Sequence, residues 1–301
     1  MRVLVFGGSG WVGRALVDAL IRAGHDVVAP RGAACDVADA RAVKRAFDES
    51  KPDAVVNAAA AQGTSDAASL VAVNFDGAGH VALAAARTGA RLVHVSTDLV
   101  LDGRSPPYRD DAPANPVTAY GRSKAAGEAA VLAACPRAVV VRASHVYDPS
   151  TPDAFLASCV EQLRVGAPCR LFVDEIRCPI ARPALASALT ELVGPTPGDS
   201  PRRGAPASKT DKGDSPRVRA GGFAGTLNVA GADALSRFDY GTLLLEHFRV
   251  PNRERVEKAR AADLVEPRPR DLTLDASTAR ALLATPLRGV RETLAAGGAD
   301  C

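Results

Sequence analysis

Aromatic residues are scarce in this chain: Phe, Trp and Tyr make up 4% of its 301 residues, with one Trp and four Tyr. That leaves no platform of stacking side chains for a single-stranded nucleic acid. A formal net charge of +3 supplies no basic surface for a nucleic acid or an anionic membrane. No apolar run reaches the length of a bilayer span. The apolar run RVLVFGG starts at residue 2, leaving no room for a targeting leader, so the expected location is the cytoplasm. The six cysteines (Cys35, Cys135, Cys159, Cys169, Cys178 and Cys301) include no CxxC and no metal-ligand spacing. They read as reduced thiols, and no metal site is expected. What remains is an ordinary globular composition, 47% hydrophobic and 24% charged, long enough for one large domain or two unequal ones.

The first half alternates two patterns. Short β-branched runs occur at RVLVFGG (2–8), DVVAP (26–30), DAVVNAAA (53–60), RLVHVST (91–97) and AVVVRAS (138–144). Helical periodicity fills the gaps at 13–24, 40–50, 74–89 and 119–134. Continuously apolar strands alternating with helices predict an α/β fold with a doubly wound parallel sheet covered on both faces. After about residue 150 the rhythm loosens into a helix (DAFLASCVEQLRVGAP), a strand (CRLFVDE) and a helix with an early proline (ARPALASALTELVG). Residues 195–222 are rich in Pro, Gly, Ser and basic residues and read as a disordered insertion. GTLNVAGADALSRFDYGTLLLEHF then predicts a strand, a loop and a helix capped by Ser236, and the C-terminal stretch reads as mostly helical, ending near Ala296.

FGGSGWVGRAL places Gly7, Gly10 and Gly13 directly after the first strand and at the start of the first helix. Gly7 permits the tight turn, Gly10 lets backbone approach a pyrophosphate, and Gly13 lets helix and strand pack closely. Phosphates then meet the free N–H groups and positive end of the helix, with Trp11 and Val12 in its first turn. In this strand–turn–helix setting the spacing predicts dinucleotide binding in a Rossmann-type domain over 1–150, whose core also receives later segments, with a substrate-binding region over 151–301. At the end of the second strand VVAPRGAACDV offers Arg31 and no carboxylate until Asp36. A basic residue there suits the 2′-phosphate of NADPH, with NADH as the alternative cofactor. Asp36 and Val37 are placed to border the adenine. Asn57, Ala58 and Ala59, at the end of the third strand, should lie under the cofactor.

Tyr120 and Lys124 in AYGRSKAAGE are one helical turn apart and share a face. Ser96, Thr97 and Asp98 end an interior strand, where open α/β sheets gather ligands. A phenol with a reference pKa of about 10 needs a neighbouring ammonium to work as an acid or base near neutrality. Tyr120 is the expected proton donor to a ketone, Lys124 tunes it and binds the nicotinamide ribose, and Thr97 polarises the carbonyl. Asn74 either braces this site or caps a helix.

With these residues assembled, the chain resembles the extended short-chain dehydrogenase/reductases, and within them the RmlD-like dTDP-4-dehydrorhamnose reductases. The matching segments include GGSGWVG, DVADARAVKRAFDESKPDAVVNAAA, VNFDGAGHVALAAARTGARLVHVSTDLVLDG, YRDDAPANPVTAYGRSKAAGE, VVVRASHVY, VDEIRCPIARPALASAL and GTLNVAGADALSRFDYG. The resemblance implies NAD(P)H-dependent reduction of a nucleotide-linked 4-keto sugar by Thr97, Tyr120 and Lys124, with Ser96, Asp98 and His145 on the substrate side and a homodimer or a regulatory partner. The departures fall there too: Leu99 and Leu101 replace family aromatics, and His145 stands where a tryptophan is common. Ala15 replaces a glutamate tied in some members to metal-bridged dimers, so no such metal is expected. The regulatory β subunit of methionine adenosyltransferase is a related branch, and a non-catalytic NADP-binding regulatory subunit is the alternative reading.

Overall fold

The computed structural model describes residues 1–32, 36–62, 66–194, 222–265 and 268–297. Apart from Gly222, the insertion expected over 195–222 lies outside the described residues.

In chain order the first half contains β1 (Arg2–Phe6), α1 (Trp11–Arg22), β2 (Asp26–Val28), α2 (Ala40–Ser50), β3 (Ala54–Asn57), α3 (Ala67–Val71), α4 (Gly77–Thr88), β4 (Arg91–Thr97), α5 (Ala119–Ala134) and β5 (Val139–Ala143). The second half adds β6 (Val146–Tyr147), α6 (Ala154–Arg164), β7 (Cys169–Phe172), β8 (Ile176–Arg177), β9 (Ile180–Ala181), α7 (Arg182–Val193) and β10 (Gly225–Val229). It ends with β11 (Leu235–Ser236), α8 (Arg237–His247), β12 (Val256–Ala259), α9 (Ser277–Leu282) and α10 (Val290–Ala295).

One six-stranded sheet runs β2-β1-β3-β4-β5-β10, every pair parallel. The strand order reverses at β1, so a crevice opens above the carboxyl ends of β1 and β3. Consecutive strand residues are buried on opposite faces. Val3 and Val5 pack into one core with Leu16 and Leu20 of α1 and Leu185 and Leu189 of α7. Leu4 and Phe6 pack into the other with Val43 and Phe47 of α2 and Val81 of α4. Burial on both faces is why these strands read as unbroken apolar runs rather than alternating ones. Two pieces of the second half complete this first unit: β10 pairs with β5, and α7 lies beside α1. Three short two-stranded ladders, β6 with β9, β7 with β12 and β8 with β11, shape the remaining lobe.

The helix expected over 74–89 is longer at its start. Asp66 caps α3 by accepting from Ser69 N at 2.8 Å, and a π-helical turn at Ala72–Asp76 carries the chain into α4. Within the resulting 22-residue run Ala67–Thr88 an 18-residue window has mean hydropathy 1.2, enough by length and composition alone to cross a membrane. The expectation that no run is long enough does not hold here, because the helical run starts seven residues ahead of Asn74. One face of the run packs against α5 and the sheet through Ala78, Val81, Ala82 and Ala85. The C-terminal stretch is less helical than expected: Pro286, which donates no backbone N–H, and Gly289 separate α9 from α10.

Candidate active site

The turn between β1 and α1 has the shape its glycines predict. Gly7 adopts φ +77°, and a Cβ there would lie 2.5 Å from the Ala59 nitrogen. At Gly13 a Cβ would come within 2.0 Å of the Gly7 carbonyl, so only glycine lets α1 start this close to the turn. Helix α1 begins at Gly10 with no capping side chain, whereas α2, α5, α6 and α8 are capped by Asp39, Thr118, Asp153 and Ser236. Its first N–H groups are therefore available to an anion.

A cavity of about 980 Å³ opens over this turn and runs along the strand ends into the second lobe. Gly7, Gly10, Trp11, Val12, Gly13, Asp36, Val37, Ala58 and Ala59 line its first part. Asn57 is buried below the wall, where its Oδ1 accepts from Ala59 N at 3.2 Å and shapes the turn after β3. Arg31 is exposed and stands outside the lining. Asn74 braces the site: its Nδ2 donates to Ala61 O at 2.8 Å and to Ser123 Oγ at 2.9 Å, tying the loop after β3 to α5.

In the middle of the cavity stand Ser96, Thr97, Tyr120 and Lys124. Thr118 accepts from Gly121 N at 3.0 Å and fixes the start of α5, so Tyr120 and Lys124 rise from its first two turns. Lys124 is 2% exposed and donates to Val95 O at 2.7 Å. Burial brings its ammonium down to about 8, with Glu128 opposing. Burial and then the Asp98 carboxylate push the Tyr120 phenol up to about 12, with Arg177 working against them. This differs from the expected lowering by Lys124: the phenol is held protonated through neutral pH. Thr97 Oγ1 donates to Asp98 Oδ1 and accepts from Leu99 N, each at 3.2 Å. Ser96 Oγ donates to Glu128 Oε1 at 2.5 Å, and Arg142 grips the same carboxylate. The Ser96 proton is thereby committed to holding α5 against β4.

Asp98 is fully buried and outside the lining. It accepts from Arg177 Nε at 2.6 Å and again from Arg177 Nη2, and from Ser144 Oγ at 2.8 Å. Of the two leucines that replace family aromatics, Leu99 lines the cavity and Leu101 is core. His145 lines it too, with Nε2 at 3.0 Å from Asp153 Oδ2. Its ring meets Tyr240 and Phe155 edge-on, with centroids 5.2 and 6.2 Å away. Burial lowers the His145 pKa, with Asp153 opposing. Burial raises that of Asp153, but hydrogen bonds from His145, Leu156 N and Tyr240 more than offset it and leave it low.

Sequence reasoning did not single out the charged far end. Glu175, 2% exposed, lies 2.9 Å from Arg268 Nε and 3.8 Å from Arg237 Nε. The Arg237 guanidinium also sits 4.1 Å from the Phe155 ring centroid. All four side chains line the cavity, as does Arg177. One signal was present: Arg237 opens α8 directly after its cap, where the positive helix end disfavours a cation unless a carboxylate meets it.

A doubly wound sheet with an uncapped glycine turn at its first crossover and a Tyr–Lys pair beside the end of β4 defines a dinucleotide-dependent oxidoreductase. More particularly, the chain belongs to the RmlD substrate binding domain family, whose model matches residues 1–206. It is 33% identical over 301 residues to the dTDP-4-dehydrorhamnose reductase of Mycolicibacterium smegmatis, covering 97% of this chain and 84% of that protein. It is also 38% identical over 152 residues to a dTDP-4-keto-6-deoxy-D-glucose reductase of Streptomyces niveus, covering 48% of this chain and 53% of that one. Among solved structures, the Bacillus anthracis dTDP-4-dehydrorhamnose reductase in complex with NADP shares the fold at TM-score 0.79 and 21% identity, covering 97% of this chain and 95% of that one.

Proposed function

We propose that the protein is an NADPH-dependent reductase of a nucleotide-linked 4-keto sugar, of the dTDP-4-dehydrorhamnose reductase type. The observation that carries this reading is one continuous cavity with the glycine turn at one end, Thr97, Tyr120 and Lys124 in the middle, and Arg177, Arg237 and Arg268 at the other. The uncapped α1 and the small walls of Gly7, Gly10, Ala58 and Ala59 fit a pyrophosphate, and Arg31 is the residue proposed for the 2′-phosphate. When bound there, the nicotinamide supplies the hydride.

The chain's own groups do the rest. Tyr120, protonated at neutral pH, donates its proton to the oxygen that becomes the alcohol. The Lys124 ammonium stabilises the phenolate left behind and is placed for the cofactor ribose. Thr97 turns its hydroxyl from Asp98 to the carbonyl oxygen and fixes its direction. Arg237 and Arg268 suit the diphosphate of the sugar nucleotide.

For assembly, a homodimer is proposed. Val71, Phe75 and Leu83 recur every four or eight residues along one helical face and are 47%, 39% and 53% exposed, a stripe that a second copy would cover. The cytoplasm is the proposed location. The test is NADPH oxidation in the presence of dTDP-4-dehydrorhamnose, followed by absorbance. Tyr120→Phe should lower kcat by about 10²- to 10⁴-fold while NADPH still binds. Tight NADPH binding with no oxidation by any keto-sugar nucleotide would end this reading.

A further inference from the structure

The reductase reaction uses one proton donor, Tyr120, yet the same cavity holds a second acid–base pair. Asp153 is ionised and can only accept, so the His145 Nε2 it contacts carries the hydrogen. The lone pair of the neutral ring then lies on Nδ1. Among the described residues nothing hydrogen-bonds to Nδ1, and it is not sealed from solvent. The ring cannot easily turn away, because Tyr240 and Phe155 hold it edge-on. Its position is also suited to the sugar. Thr97 pairs with Ala143 across the β4–β5 ladder, and His145 follows two residues beyond that pairing, lining the same cavity as Tyr120.

We propose that His145, backed by Asp153, removes and returns a proton on a carbon next to the ketone, so that this site enolises its keto sugar as well as reducing it. The inference rests on the keto-sugar reading above. A hydrogen flanking a carbonyl is acidic because the carbanion delocalises onto oxygen, and Tyr120 is already placed at that oxygen. In the forward step the C–H bond breaks and its proton goes to His145 Nδ1. The electron pair forms the C=C bond, the former C=O π pair moves to oxygen, and oxygen takes the Tyr120 proton. The imidazolium is held by Asp153. Reversal restores every group, so no oxidant, reductant or hydride is consumed.

The step exchanges the hydrogen on the flanking carbon and keeps its configuration, because a single base returns the proton to the face from which it was taken. Both dTDP-4-dehydrorhamnose and dTDP-4-keto-6-deoxy-D-glucose, the sugars in the names of two relatives, offer such a hydrogen beside the ketone.

The test uses the full chain with NADP⁺, which has no hydride to give, and each of these two sugars in D₂O. Proton NMR of the positions flanking the ketone and the mass of the sugar nucleotide report exchange. Deuterium should enter well above the buffer rate. His145→Asn should cut that exchange by about 100-fold and NADPH oxidation by a smaller factor, which also reports that the variant is folded. His145→Gln serves as a second variant, and the wild-type exchange depends on neither. No exchange alongside normal NADPH oxidation overturns the proposal and leaves the reductase standing. Equal exchange in wild type and both variants overturns the role of His145. Neither exchange nor NADPH oxidation overturns both readings.

Discussion

The two ends of the cavity are built on opposite plans. At the glycine turn the walls are backbone and small side chains: Gly7, Gly10, Gly13, Ala58 and Ala59, drawn from two adjacent strand ends. At the far end they are charged and polar side chains held in pairs, Arg177 with Asp98 buried behind it, Glu175 with Arg237 and Arg268, and a neutral His145 with Asp153, gathered from residues 98 to 268. A backbone cradle removes few charges from water and tolerates no added atoms. Buried ions cost solvation on every member, and each is tolerable only while its partner stays. One end is therefore a fixed shape, sensitive to volume, and the other a set of electrostatic couplings, sensitive to charge.

The sharpest break in that comparison is a substitution that keeps volume and removes charge. Asp98→Asn leaves the Arg177 guanidinium buried without its carboxylate and should cost about 3–5 kcal/mol of stability, measured by denaturant titration. Gly13→Ala is the converse, adding volume without charge; its Cβ would lie 2.0 Å from the Gly7 carbonyl oxygen, so the turn must shift and NADPH affinity should fall together with some stability. If Asp98→Asn loses NADPH affinity but no stability, the two ends are not separate in the way described. Next in size is Arg268→Ala. Its side chain is 40% exposed, so folding should survive. Losing one charged hydrogen bond to a diphosphate, about 1.5–3 kcal/mol, should raise KM for the sugar nucleotide by about tenfold or more and spare the NADPH Kd.

The same contrast governs what could be read from the sequence. Gly7, Gly10 and Gly13 lie within seven residues, and Tyr120 and Lys124 within five, so local spacing carries their geometry. The continuous valine runs announce a sheet buried on both faces. Nothing local announces that Arg237 and Arg268 meet Glu175, because that pairing depends on how β8, α8 and the segment before α9 fold back on one another. Even at the legible end, spacing gave position without electrostatics. The Lys124 beside Tyr120 suggested a lowered phenol pKa, whereas burial and Asp98 raise it.

That result fixes the sign of a pH effect. Lys124 loses its charge near pH 8, whereas Tyr120 stays protonated up to about 12. Turnover should therefore fall as pH rises through about 8, by up to about tenfold per unit, and Lys124→Met should flatten this limb. Stability should move the other way. Because the folded pKa of Lys124 lies below its ordinary 10.5, the unfolded chain binds more protons between about 8 and 10.5. Stability thus gains from this group as pH climbs through that window. A pH–rate profile and a set of melts over pH 7–10 would separate the two trends.

The smallest effect tests whether the cofactor end uses charge at all. Arg31 is exposed at the end of β2 and outside the cavity lining, while Asp36, which does line it, spends one oxygen on Ala38 N at 2.9 Å. An exposed ion pair with a 2′-phosphate is worth up to about 1 kcal/mol. Arg31→Asp should thus weaken NADPH binding by about fivefold and leave NADH nearly untouched, as read by fluorescence titration of both cofactors. Loss of affinity for NADPH alone would place one charged contact at the rim of an otherwise uncharged cradle. Equal loss of both would mean that Arg31 supports the turn itself and that the 2′-phosphate is not recognised there. The cofactor end would then bind through shape and backbone alone, and the division between the two ends would be complete.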